Sequence, residues 1–431
     1  MGRSRVGAAR VAAALLVGLA LGPRPSWGRV QQNAKAEAKQ VDEAIARGIN
    51  HLLQAESPSS EGKGWSIAVP HSDELFLLTF LHAGGLENHA RFQALLKKTL
   101  EAPLEYTYNV ALQAMVLEEL DRVRHQKRIW ECAQFLVDTQ FASGAWGYGE
   151  PVTIPAPPVP EPPKEVRTPS KSAPPKKDTV SAKRRKPEVR QRLRVKKTRD
   201  GSVLRPNNST SQYAALGLRA CHDAGIIIPE ETIKRAIQWW EAHHHSGKAA
   251  EKGGAVATGP GGDAVGWCYY FNAQCEGGPS GSMTAGALGS LAIYDSIRGA
   301  DWKKNPLVRG GMNWLGSHFT VDESCEMKHM YAVYGFSEKK FAYYYFLYGL
   351  ERAGILCDTE WFGRHAWYRE GAARILKAQR RDGSWNGSVW DGKDVEFPAW
   401  DTCFAILFLK RATQPLRDVA SVDPFHPREK P

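Results

Sequence analysis

A chain of 431 residues with 42% hydrophobic and 10% aromatic content is long enough for one large domain or two ordinary ones, and that composition excludes a disordered or fibrous protein. Seven scattered cysteines exclude a disulfide-built scaffold. The formal net charge of +11 raises a nucleic-acid reading that depends on where the charge lies.

At the N-terminus, Arg3, Arg5 and Arg10 precede the apolar run "VAAALLVGLAL", and "GPRPSWG" follows with helix breakers and small residues. This pattern predicts a secretory signal peptide over 1–28, cut after Gly28, with an uncleaved membrane anchor as the alternative. Its apolar core of eleven residues is short of the roughly 20 that a membrane-spanning helix needs. No later run is apolar enough to span a bilayer, so the mature chain is expected to be exported, periplasmic or extracellular. Cys268 and Cys275 are then able to pair, whereas Cys221 and Cys403 fall in apolar helical patterns and are expected as buried small hydrophobes.

The next segment, 29–150, begins a series of helix pairs, each an amphipathic helix, a connection with Gly and Trp, and a more apolar helix rich in Ala, Leu and Tyr. The first pair joins "VDEAIARGINHLLQ" through Gly64 and Trp65 to "SDELFLLTFLHAGG", and the second joins "HARFQALLKKTL" to "YTYNVALQAMVLEEL". The third starts with "RIWECAQFLVDTQFASGAWGYG" and is interrupted by 151–205. That insertion carries sixteen Lys or Arg against five Asp or Glu and eleven of the 26 prolines, so it holds the whole excess charge. It is expected as a disordered, basic, Pro-rich loop unable to bury enough apolar surface to fold. No aromatics are interleaved to stack on bases, which disfavours nucleic acid. Anionic envelope polymers or lipid headgroups are the expected contacts of such a loop on an exported protein.

The second part, 206–414, completes the third pair with "NNSTSQYAALGLRACHDAG". It adds "ETIKRAIQWWEAHHH" with "SGSMTAGALGSLAIYDS", then "VRGGMNWLGSHF" with "KKFAYYYFLYGLERAG", then "YREGAARILKAQRRDGSWNG" with "AWDTCFAILFLKRA". A tail over 415–431 follows. Six pairs are enough to close a ring in which the second helices are covered on several sides, so the expected fold is an all-α (α/α)6 toroid, with an open helical solenoid as the alternative.

Two connections share the spacing Q-x3-G-x-W, in Gln140, Gly144 and Trp146 and again in Gln379, Gly383 and Trp385. Glycine tolerates a left-handed helix end, glutamine bonds backbone groups left unpaired there, and tryptophan adds a flat lid with one N–H. The recurrence marks a structural clasp, expected between outer and inner helices, rather than an active site. The element resembles the QW motif of the terpenoid cyclase and protein prenyltransferase superfamily, which includes squalene–hopene cyclases. Gly64-Trp65 and Gly266-Trp267 keep part of the motif, with His244 where Gln would stand. The resemblance implies an α/α toroid with a central cavity and an isoprenoid among the candidate ligands.

The chemistry of that superfamily finds little counterpart. The D-x-D-D acid element of squalene–hopene-type cyclases is missing, and "DGKDVEF", with Asp391, Asp394 and Glu396, reads as a solvated turn. Asp401 and Cys403 form a D-x-C, which makes them weak zinc candidates, but the ligand set of the prenyltransferases does not transfer. His243 to His245 read as a solvated helix end, and Cys325 with His329 lacks further ligands. No metal or cofactor is predicted.

The remaining candidates lie where the second helices begin: Asp73, Tyr108, Asn109, Asn208, Thr210, Gln212, Ser282, Thr284, Tyr343, Tyr344 and Asp401, with His71, Ser72 and Thr402 beside them. Helix N-termini favour polar or anionic ligands, and tyrosines among caps suggest a pocket of mixed character. The expectation is a ligand-binding toroid for an isoprenoid, lipid or glycan, without an assigned catalytic residue. An active isoprenoid cyclase or transferase and a polysaccharide-active toroid are the alternatives.

Overall fold

The computed structural model describes residues 27–58, 72–149, 152, 154, 191–192, 206–246, 264–269, 278–324, 342–387 and 397–416. His71, Gly64-Trp65, the acids of "DGKDVEF", Cys275, Cys325, His329 and nearly all of the basic insertion lie outside these residues. Among the described residues the protein is all-α. Its twelve helices are α1 (Trp27–Gln54), α2 (Asp73–Ala83), α3 (Ala90–Glu101), α4 (Thr107–Asp121), α5 (Gln126–Asp138), α6 (Asn208–Asp223), α7 (Glu230–Ala242), α8 (Gly281–Ile297), α9 (Pro306–Ser317), α10 (Tyr343–Leu356), α11 (Trp367–Ala378) and α12 (Pro398–Leu409). The strands are two or three residues long and pair only in twos. No described helix is long and apolar enough to cross a membrane.

Odd- and even-numbered helices differ as their sequences require. The odd ones bury one stripe, such as Phe92, Leu95, Leu96 and Thr99 of α3. The even ones are covered more fully, and in the last three nearly all round: only Ser296 of α8, Ile355 of α10 and Pro398 of α12 escape burial there. Helices that are apolar on every face require neighbours on every face. Accordingly α2 packs on α4, α4 on α6, α6 on α8, α8 on α10, α10 on α12, and α12 on α2. The odd helices lie against them, α3 on α2, α5 on α4 and α6, α7 and α9 on α8, and α11 on α10.

The Gln–Gly–Trp element is a three-way joint. Trp146, Trp267 and Trp385 are fully buried, and each indole Nε1 donates to a carbonyl of the preceding odd helix: Leu136 at 2.7 Å, Trp240 at 2.9 Å and Ile375 at 2.8 Å. Their backbone N–H groups donate to hydroxyls in the first turns of the following even helix, Ser211 at 3.0 Å, Thr284 at 3.2 Å and Thr402 at 3.0 Å. The glutamine reaches a third helix. Gln140 Nε2 donates to Gly144 O at 3.0 Å and to Thr232 O of α7 at 2.9 Å, while Gln379 Nε2 donates to Gly383 O at 2.9 Å and to Ala44 O of α1 at 2.8 Å. The clasp thus ties successive odd helices to one another as well as to the even set, a wider role than outer-to-inner joining alone.

The glycine is required by both conformation and space. Gly144 (φ +95°) and Gly383 (φ +86°) are left-handed, and a Cβ would lie 2.0 Å from Arg235 O and 2.4 Å from Arg47 O. Gly144→Ala and Gly383→Ala are each expected to lower unfolding free energy by about 3 kcal/mol or more, since backbone must move as well as a left-handed residue be strained. Gly85→Ala, left-handed at φ +74° with open space around it, is expected to lose only about 1 kcal/mol. Urea denaturation of the three variants checks the difference; equal losses would remove the close-approach argument.

Candidate functional site

Helix α6 opens with "NSTSQY", a polar stretch that the packing nonetheless buries. Buried polar atoms need partners, so each of these side chains has to be accounted for. Asn207, the residue before the helix, caps it by accepting from Thr210 N at 2.9 Å. The Thr210 hydroxyl donates to Trp146 O at 2.7 Å, and Thr284 holds Trp267, so both serve the clasp. Asn208 donates to Cys268 O at 2.7 Å and accepts from Trp239 Nε1 at 2.7 Å, pinning the strand that ends at Trp267 to α7. Cys268 is disulfide-bonded, with its partner outside the described residues.

Ser209 and Gln212 do something different. Ser209 Oγ shares hydrogen bonds with Tyr108 OH of α4 at 2.6 Å and Tyr345 OH of α10 at 2.8 Å. Gln212 Nε2 donates to Tyr345 OH at 2.7 Å, and Gln212 Oε1 accepts from Arg352 Nη2 at 2.9 Å. Because arginine only donates, this fixes the orientation of the Gln212 amide. Tyr345, Tyr348 and Arg352 lie at i, i+3 and i+7 on one face of α10, and a helix brings such positions together. The guanidinium carbon sits 4.3 Å from the Tyr348 ring centroid, 5.1 Å from Tyr213 and 6.0 Å from Tyr345. Phe404 of α12 packs on Tyr345 and Tyr348, and Tyr108 packs edge-on against Tyr213.

The contacts from α6 to α10 pass between helices that are not neighbours, since α8 stands between them. Gly286 of α8 makes room: a Cβ there would lie 2.6 Å from the Gln212 amide. Burial pushes the phenols of Tyr108 and Tyr345 upward, so both remain neutral hydroxyls at any physiological pH.

The other predicted residues scatter. Asp73 is buried against the Lys98 ammonium at 2.7 Å, and Asn109 Nδ2 donates to Glu74 Oε2 at 2.7 Å. Tyr343 OH donates to Val321 O, Tyr344 packs edge-on against Tyr343, and the Ser282 hydroxyl has no partner among the described residues. Asp401 Oδ2 accepts from Gly387 N at 2.9 Å. Cys403 is fully buried, with its thiol pushed up to about 12 by burial, which opposes the thiolate that zinc would need. No three His, Cys, Asp or Glu side chains gather into a metal-binding group among the described residues. His243 to His245 are not helical as expected: α7 ends at Ala242, and His244 and His245 pair with Trp267 and Gly266 in a short ladder. His243 and His244 place Nδ1 on carbonyls of Trp239 and Glu241, at 2.6 and 2.7 Å, so two of the three imidazoles are bonded locally.

Tyr213, Tyr345, Tyr348 and Arg352 are absent from the sequence-derived candidates. The detectable signal was the charged pair Glu351-Arg352 inside a helix otherwise aromatic and apolar, where a charge requires a partner. Neither the family models nor the curated proteins compared with the chain provide a match.

Glu351 is the other buried charge of α10. Both carboxylate oxygens accept from Thr413, from its N–H at 3.1 Å and its hydroxyl at 2.7 Å. Burial raises its pKa from 4.5 to about 7, against the opposing pull of the Thr413 bonds, Arg352 and His82. The folded state then binds more protons than the unfolded one between about pH 4.5 and 7. Stability from this group is thus present below pH 4.5 and is lost as pH rises to 7, by up to roughly 3 kcal/mol. Glu351→Gln is expected to flatten that slope in denaturation measured from pH 5 to 8; an unchanged slope would assign it to other groups.

Proposed function

We propose that the chain is an exported (α/α)6 toroid with the architecture of the QW-motif cyclases and prenyltransferases, acting as a binding protein for a ligand held among its even-numbered helices. Ring closure is supported by the packing of α12 on α2 and by the Gln379 clasp. That clasp engages α1 as the Gln140 clasp engages α7, with the glycine three residues beyond the bonded carbonyl in both cases. Trp400 Nε1 adds a bond to Ser72 Oγ at the entry to α2, at 2.7 Å.

The connections favour one end of such a ring. Those from even to odd helices are short, spanning 84–89, 122–125, 224–229, 298–305 and 357–366. Those from odd to even helices are 55–72, 102–106, 139–207, 243–280, 318–342 and 379–397, all but the second longer than any even-to-odd connection. Long connections gathered at one end of a scaffold are where binding residues concentrate. The single observation that carries a ligand-binding reading is the buried chain Tyr108–Ser209–Tyr345–Gln212–Arg352, drawn from α4, α6 and α10. Burying a charged side chain costs desolvation free energy, which the tyrosine faces and the Gln212 bond offset here. The disulfide on Cys268 supports an oxidising compartment, in keeping with the signal-peptide pattern of 1–28.

The basic segment 151–205 fits contact with anionic headgroups or envelope polymers through charge alone. Sedimentation with phosphatidylglycerol vesicles is expected for the full chain at low salt and not for a chain lacking 151–205; equal sedimentation would dismiss that role.

Native mass spectrometry of the purified protein tests the central reading. A non-covalent adduct released by collisional activation is expected, with no product formed when the protein is incubated with farnesyl diphosphate or squalene. A bare protein would sink the binding role, and turnover of either isoprenoid would replace it with an enzymatic one.

A further inference from the structure

Arg352 is the charged group in the central cluster, and its bonding is incomplete in a way that points to a ligand. Its side chain is almost wholly buried, at 3% exposure. Nη2 donates to Gln212, whereas Nη1 is buried with no acceptor in hydrogen-bond geometry. Among the described residues no carboxylate forms an ion pair with it: the adjacent Glu351 has both oxygens on Thr413. The faces of the guanidinium are covered by tyrosine rings, which stabilise its charge by roughly 0.5–2 kcal/mol each, and the Tyr213 hydroxyl also interacts with it, yet Nη1 is left without an acceptor in good geometry. A buried cation with one uncovered donor edge is satisfied by water or by an anion. The Tyr348 hydroxyl, on the ring nearest the guanidinium, also has no partner among the described residues.

We infer that Arg352 Nη1, with Tyr348 OH beside it, receives the carboxylate of a monoanionic ligand whose remaining body is apolar. This deepens the central-ligand reading and rests on it. The class follows from charge and surface. One positive charge with no carboxylate bonded to it matches one negative charge, so a phosphate dianion would leave a surplus charge buried. The surrounding walls, Tyr213, Tyr345, Tyr348 and Phe404, are aromatic faces suited to a hydrocarbon or ring body rather than to a sugar's many hydroxyls. Gln212 holds the guanidinium from its other edge, and Gly286 lets Gln212 stand there.

Isothermal titration of the full-length mature protein with hexanoate and with the isosteric neutral hexanamide tests this. Hexanoate is expected to bind the wild type at least tenfold more tightly than hexanamide. Arg352→Met, which keeps the length of the side chain and removes the charge, is expected to abolish that difference, and Tyr348→Phe to weaken hexanoate about threefold. Arg352→Lys keeps the charge but loses the planar fork. It is expected to retain an intermediate preference and serves as the readout if the methionine variant lacks a folded circular-dichroism spectrum. Equal binding of acid and amide by the wild type overturns the inference, as does undiminished hexanoate binding by Arg352→Met. A co-purified molecule present equally on wild type and Arg352→Met would leave the central-ligand reading in place and remove the anionic contact. No adduct and no binding of either probe would remove both.

Discussion

The buried indole at the end of an odd-numbered helix organises the rest of the molecule. Trp146, Trp267 and Trp385 each fill a space that three helices border, and truncating a fully buried tryptophan typically costs about 3–5 kcal/mol. Burial alone would leave the helices free to slide past one another. The direction comes from the two N–H groups of each residue: the indole N–H binds the helix just completed, and the backbone N–H binds the helix about to begin. One residue thereby sets the angle and the offset of a helix pair, and the glutamine carries the same joint to the next pair.

The cluster around Arg352 depends on that arrangement. Gln212 and Arg352 meet only because α6, α8 and α10 stand side by side, with the registers of α6 and α8 held by such joints, and because α8 offers glycine where Gln212 passes. Polar groups in this setting are strongly coupled. In a low-dielectric interior, the Arg352 charge polarises the Gln212 amide and, through it, the hydroxyls of Tyr345, Ser209 and Tyr108. Ser209 is thus distinct from Thr210 and Ser211 beside it, whose hydroxyls hold the backbone. Three consecutive small polar residues divide between two tasks because successive side chains on a helix point about 100° apart.

Much of the architecture was legible in the chain. The 3.6-residue period of α3, α5 and α7 and the all-round apolar character of α8 and α12 identified helices and their sorting into two sets. The repeat Q-x3-G-x-W identified the clasp, because a spacing that recurs more than 200 residues apart reflects a repeated local geometry. The candidate site was only partly legible. Tyr108 and Gln212 belong to the cluster, but Thr210 and Thr284 hold the clasp, and Asn208 anchors a neighbouring strand. A buried hydroxyl at a helix start looks the same in sequence whether it bonds backbone or faces a ligand. The three histidines were read as a solvated helix end, whereas the helix stops at Ala242 and His244 and His245 enter a short ladder with Trp267 and Gly266.

By itself the sequence determined the helices, their amphipathic or wholly apolar character and the residues of the clasp, since these follow from local spacing and from the conformations that Gly, Gln and Trp permit. Only the tertiary structure decided which polar side chains meet. Arg352 and Gln212 are separated by 140 residues, and Gln379 and Ala44 by 335. No local pattern encodes such a pairing, because it depends on the summed positions of every helix between.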